Sequence, residues 1–216
     1  MIVVVTGTGT EVGKTWFTAA TIDALRADGR SVVARKPVQS FDPADAHPTD
    51  ADVLARATGE LPETVCPRPR WLPKAVAPPM AADALGLPSF TIAELAVEVR
   101  AGTGADDAIL FVEGAGGARS PIAEDGDTVA LAHALAADVV VIVADAGLGT
   151  INAVRLTVAA LGNWTPIVAL NRFDARDELH IANRDWLRAR DGYEVVTDPA
   201  QLAAALTLRG SPRARS

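Results

Sequence analysis

Residues 2–15 read Ile2-Val3-Val4-Val5-Thr6-Gly7-Thr8-Gly9-Thr10-Glu11-Val12-Gly13-Lys14-Thr15, an apolar run that breaks into glycines and closes on Gly-Lys-Thr. Ile2–Thr6 is β-branched throughout and predicts a buried strand. The alanine-rich stretch Lys14–Ala27 predicts the helix that follows it. Glycines between strand and helix let backbone amides turn inward, and the helix amino end adds positive potential. In that setting Lys14 can reach outer phosphates and the Thr15 hydroxyl can ligate Mg²⁺. Five residues separate Gly7 from Gly13, one more than the general G-x-x-x-x-G-K-[ST] pattern, and Thr8 stands where that pattern has its first glycine. The stretch reads as a nucleoside triphosphate site.

Working outward, the same alternation of strand and helix continues to the carboxyl end. Ser31–Arg35, Ala108–Glu113, Asp138–Asp145, Pro166–Asn171 and Tyr193–Thr197 read as strands, apolar at consecutive positions as in a parallel sheet covered on both faces. Asp50–Thr58, Ile92–Arg100, Thr128–Ala136, Ile151–Leu161, Glu178–Arg190 and Pro199–Leu206 read as helices, with Thr91 and Glu94 as a capping box and Gly29 and Gly59 as stops. The expected architecture is α/β, a doubly wound and mostly parallel sheet with helices on both faces. Pro62–Pro79 holds six prolines in eighteen residues and is expected to be an irregular surface excursion without a strand. Asp106-Asp107 is expected to be a solvated turn. The domain is expected to span 1–208, with a disordered tail at 209–216.

Composition narrows the function. A chain of 216 residues, 49% hydrophobic and 22% charged, fits one globular domain, and no apolar run approaches the ~20 residues of a membrane span. A net charge of −7 argues against nucleic acid or an anionic membrane as partner. The single cysteine, Cys66, excludes a disulfide framework, and nothing near it in sequence activates it. A cytoplasmic protein acting on small molecules is the expectation. Of twenty basic residues only Lys14, Lys36 and Lys74 are lysines, so lysine can mark places that need a compact ammonium.

In a doubly wound sheet, ligands lie beyond the carboxyl ends of the strands. The second strand ends in Lys36-Pro-Val-Gln-Ser40, where a lysine can stabilise charge on a transferred phosphoryl group. Asp50 and Asp52 open a helix, as caps or as metal contacts. The third strand ends in Glu113-Gly114-Ala115-Gly116-Gly117, a glutamate where most nucleotide hydrolases carry an aspartate for Mg²⁺. The fourth ends in Asp145-Ala-Gly-Leu-Gly149-Thr150-Ile-Asn152, whose amides suit a carboxylate or form a plain turn. The fifth ends in Asn171-Arg172, where an amide can pair with a base edge. His47, His133 and His180 show neither metal-ligand spacing nor triad partners, and the four tryptophans are expected to pack.

Together these segments resemble the dethiobiotin synthetase family of P-loop NTPase-like ligases. The resemblance rests on residues 7–15, Lys-Pro-Val-Gln-Ser (36–40), Val-Glu-Gly-Ala-Gly-Gly (112–117) and Gly-Leu-Gly-Thr-Ile-Asn (147–152). The family's phosphate loop has the same longer spacing, and its magnesium acid is also a glutamate. The resemblance implies an ATP- and Mg²⁺-dependent ligase that joins diaminopelargonic acid with CO₂ or bicarbonate, acting as a homodimer. Glu11, Val12, Gly13, Lys14, Thr15 and Trp16 would wrap the triphosphate. Thr15, Asp50 (with Asp52 in reserve) and Glu113 would hold the metal, and Gly114, Ala115 and Gly116 would line the phosphates. Lys36 and Lys14 would be catalytic, with Thr10, Lys36 and Ser40 at the substrate. Gly149, Thr150 and Asn152 would grip its carboxylate across the dimer interface. Asn171, Arg172, Thr197, Asp198 and Pro199 would hold the purine. Two alternatives remain: a partitioning or maturation ATPase switch, against which Thr8 and Gly9 replace an early lysine, and a ligase of the same fold acting on another amine.

Overall fold

The computed structural model describes residues 1–101 and 108–210, so Asp106-Asp107 and residues 211–216 lie outside it. The amino half contains β1 (Ile2–Gly7), α1 (Lys14–Ala27), β2 (Val32–Arg35), β3 (Gln39–Ser40), α2 (Asp50–Thr58), α3 (Pro62–Val65), a 3-10 turn at Arg68–Arg70, β4 (Trp71–Leu72), α4 (Pro78–Ala84) and α5 (Ile92–Ala101). The carboxyl half contains β5 (Ile109–Glu113), β6 (Pro121–Ala123), β7 (Gly126–Asp127), α6 (Thr128–Ala134), β8 (Val139–Asp145), α7 (Thr150–Leu161), β9 (Ile167–Asn171), α8 (Glu178–Ala189), β10 (Glu194–Val196) and α9 (Pro199–Gly210).

Six strands form one parallel sheet in the order β10-β9-β8-β1-β5-β2. Its apolar runs divide by parity, because successive side chains point to opposite faces. Val3, Val5, Val141 and Phe111 pack with α1, α2 and α9, while Val4, Val140, Ile142 and Val112 pack with α5 and α6. Burial on both faces is why these strands carry apolar residues at consecutive rather than alternate positions. β1 lies between β5 and β8, with Val5 opposite Glu113 and Thr6 opposite Ile142, so the loops after three strands meet at one edge. No helix among the described residues is long and apolar enough to cross a membrane.

The Thr91–Glu94 capping box is formed, and Gly29 and Gly59 take the left-handed conformation at helix ends. The Pro62–Pro79 segment corrects the expectation. It contains α3, the 3-10 turn and β4, whose two residues pair in parallel with Gln39 and Ser40. It is not a surface excursion either, since Val65, Cys66 and Leu72 are fully buried. Proline at the first turn of α3 removes no needed donor, so a short helix survives. At the other end α9 runs two residues beyond 208, and Arg209 pairs with Glu194. Trp71 and Trp164 are packed against the core, whereas Trp16 and Trp186 are exposed.

Candidate active site

The loop after β1 is shaped by backbone constraints that its glycines satisfy. Gly13, at φ +87°, caps α1, and a Cβ there would lie 2.1 Å from Asn171 Nδ2. Glu11 adopts φ +61°, a left-handed conformation costly for a residue with a Cβ. The first turn of α1 carries no acidic side chain of its own at the positive end of the helix dipole. Lys14 is buried, and its ammonium donates to Gly9 O at 3.2 Å. Burial first, and repulsion from Lys36 second, hold its pKa below the ordinary lysine value.

Beside the loop, three elements deliver an oxygen-rich cluster. Thr15 Oγ1 lies 2.7 Å from Asp50 Oδ1 and 2.8 Å from Glu113 Oε1. A hydroxyl has one proton, so it can donate to only one of these carboxylates. The other carboxylate oxygen of Glu113, Oε2, is buried without a partner. Lys36 supplies the positive charge: its Nζ stands 2.6 Å from Asp50 Oδ2, 2.8 Å from Glu113 Oε1 and 3.0 Å from Gly114 O. Burial alone would push the Lys36 pKa down, but the two carboxylates outweigh it and hold it above the ordinary value. Burial likewise opposes ionisation of Asp50, and Lys36 reverses that, holding the carboxyl below its usual range.

Asp50, not Asp52, faces this cluster. Asp52 is engaged in a capping box with Thr49, donating nothing to the site and accepting from Thr49 N at 2.9 Å. Gln39, which sequence reading passed over, accepts from Ala51 N at 3.0 Å and so fixes the start of α2. Its signal was its place between Lys36 and Ser40. Gly114 is required by close approach, because a Cβ there would meet Thr128 Oγ1 at 2.2 Å.

The cluster opens into a cavity of about 1010 Å³ whose walls include Thr10, Lys14, Thr15, Lys36, Ser40, Asp50 and Gly116. Ala75, Val76, Ala77 and Pro78 close one side, so the proline-rich segment forms a wall of the site. His47, exposed and paired with Asp45 at 2.5 Å, stands at the mouth. His133 instead packs at a tilt against Trp164, and His180 accepts from Asp174 N at 3.0 Å. Cys66 is inert, its thiol pushed up to about 12 by burial. Asn152 lines a second cavity of about 470 Å³, which shares Thr10 and Ser120 with the first. Trp16, Gly149, Thr150, Thr197, Asp198 and Pro199 are not among the walls of either. Arg172 does line the main cavity. Asn171 Nδ2 donates to Val12 O at 3.0 Å.

A phosphate loop, a buried lysine between two acids and a glycine-rich turn after the glutamate now stand together. The family profile described as an AAA domain matches residues 2–198. An ATP-dependent dethiobiotin synthetase from Anaeromyxobacter dehalogenans is 41% identical over 179 residues, 81% of this chain and 78% of that protein. The chain belongs to the dethiobiotin synthetase family. Enzymes of the same name from Streptomyces avermitilis and Rhodococcus jostii are 41% and 44% identical, over 74% of this chain in both cases. The match spans 65% and 67% of their lengths, about two thirds of these family members.

Proposed function

We propose that this chain catalyses the ATP-dependent ring closure of 7,8-diaminopelargonic acid with CO₂ to give dethiobiotin. The observation that carries this reading is Lys36, held by Asp50 and Glu113 at the edge of the phosphate loop and facing the cavity that Ser40 also lines. Such a ligase must bring an anionic carbamate to an anionic triphosphate. Positioning and cancellation of charge are therefore the main work.

One amine of the substrate adds to CO₂, and the resulting carbamate oxygen attacks the γ-phosphorus while ADP leaves. The second amine then attacks the carbamoyl carbon, expels phosphate and closes the ureido ring. Lys14 and Lys36 offset the charge that develops on the transferred phosphoryl, and the loop amides and the α1 dipole hold the phosphates. Thr10 and Ser40 orient the diamine end. Thr15, Asp50 and Glu113 would hold Mg²⁺, a fit supported by the unpartnered Glu113 Oε2 and by two carboxylates sharing one hydroxyl proton. When bound, the ion supplies positive charge at the phosphates. The same reading assigns Glu11 to Trp16 and Gly114 to Gly116 to the nucleotide, and Asn171 and Thr197 to Pro199 to its base end, with Arg172 beside the phosphate loop. Gly149, Thr150 and Asn152 go to the substrate carboxylate across a homodimer interface, in a cytoplasmic enzyme.

Phosphate release with MgATP and bicarbonate, with and without the diamine, tests the reading. A diamine-dependent burst of phosphate is expected, together with a stoichiometric product heavier than the diamine by one CO₂ less one water. Release indifferent to the diamine would overturn it in favour of a switch ATPase or a ligase for another amine.

A further inference from the structure

The two residues at the end of β9 reach back to the phosphate loop. Asn171 Nδ2 donates to Val12 O at 3.0 Å, and Arg172 donates one guanidinium nitrogen to Glu11 O at 3.0 Å. The other terminal nitrogen of Arg172 lies 2.9 Å from Asp145 Oδ2. Asp145 Oδ1 in turn accepts from Gly147 N at 2.9 Å. A trans peptide is planar, with its C=O and N–H on opposite sides. Turning the Glu11 carbonyl toward Arg172 and the Val12 carbonyl toward Asn171 therefore fixes the Val12 and Gly13 amides in the opposite direction, free of these two side chains. Glu11 and Arg172 both sit at positive φ, +61° and +57°, conformations that persist in non-glycine residues only where contacts impose them.

We propose that Arg172, oriented by Asp145, is a positioning residue that holds the phosphate loop in its anion-binding conformation and ties it to the segment opening α7. Supporting contacts surround the pair. Ala146 N donates to Asn171 O at 3.1 Å, and the buried Asn183 donates from Nδ2 to Ala146 O and Gly147 O, both at 2.9 Å. The loops after β1, β8 and β9 are thus joined through side chains of α8 and the strand ends. Arg172 acts on the nucleotide through the Glu11 carbonyl, not by reading the base. The inference rests only on the nucleotide part of the proposed function, and it stands whichever amine is the substrate.

Equilibrium binding of MgATP, without diamine, tests it on the full chain, with magnesium tripolyphosphate as a probe that lacks base and ribose. Loss of a charge-assisted hydrogen bond predicts that Arg172→Ala weakens MgATP binding about tenfold. Tripolyphosphate binding falls in parallel, Arg172→Lys recovers part of the loss, and the melting temperature of the ligand-free protein moves little. Asp145→Asn weakens binding less, and adds nothing when combined with Arg172→Ala. Tripolyphosphate affinity unchanged in Arg172→Ala would overturn the proposal in favour of a direct base contact. Additive losses for the two substitutions would sever Asp145 from Arg172. Failure of the wild-type chain to bind either probe would sink the nucleotide reading itself, whereas failure of the diamine assay alone would leave this inference standing.

Discussion

Lys36 has three donors, and Asp50, Glu113 and the Gly114 carbonyl take all three. Replacing it by glutamine removes the charge that the proposed mechanism sets against the transferred phosphoryl. It also leaves Glu113, which is fully buried, without its cation. The expected kcat loss is about 10²–10³-fold, the range for one preorganised electrostatic contact. The ligand-free variant should also melt earlier than wild type, because a buried carboxylate has lost its partner. Steady-state kinetics and a thermal melt check the two effects separately; full activity would remove Lys36 from the mechanism. Asp50 gives a pH signature. Its carboxyl titrates below its ordinary 3.8 in the folded state, so it stabilises the fold above that pH, and the contribution is lost as pH falls through the folded value. In metal-free buffer, the urea midpoint of wild type should drop more steeply than that of Asp50→Asn below about pH 4. Parallel curves would show that Lys36 does not hold Asp50 ionised. The Asp50–Asp52 ambiguity illustrates what single residues disclose: two acids two positions apart on a helix look alike in sequence, and only the Thr49 capping box separates them.

At the scale of elements, the strands of the main sheet were legible because two-faced burial writes itself as consecutive apolar residues. β3 and β4 were not, since two residues each are too few for any period, and the prolines around β4 pointed to a loop. Yet that small ladder supports the proposed site. Lys36 N donates to Val65 O at 2.8 Å, and β4 pairs with the strand that ends at Ser40, so the segment from α3 to β4 braces the Lys36–Ser40 stretch. Leu72 is fully buried beneath it. Leu72→Ala should cost about 2–5 kcal/mol of unfolding free energy, the range for an aliphatic core truncation. If the brace positions the substrate side of the site, KM for the diamine rises while MgATP affinity holds. Denaturant titration and initial-rate kinetics read both, and equal losses for both ligands would assign the segment a general rather than a local role.

Across the whole molecule, the site was legible wherever it lies directly after a strand and obscure wherever two strand ends must meet. Lys14, Thr15, Lys36 and Glu113 each announce themselves by position, but the Arg172–Asp145–Gly147 link joins residues far apart in sequence by side-chain geometry alone. The same distinction applies to association. Leu156, 64% exposed, lines the second cavity with Asn152, and Leu148, 91% exposed, precedes Gly149 in the segment that the proposed function gives to a dimer interface. Large exposed apolar side chains flanking a proposed interface fit a contact surface. Sedimentation equilibrium should find a dimer at micromolar concentration, and Leu156→Arg should shift it to monomer by placing an unpaired charge in an apolar contact. Because the proposed carboxylate grip crosses that interface, the monomeric variant should lose diamine turnover while keeping MgATP binding, which needs one phosphate loop only. A Leu156→Arg protein that sediments as a dimer would move the interface elsewhere. One that is monomeric and fully active would place the whole substrate site within a single chain.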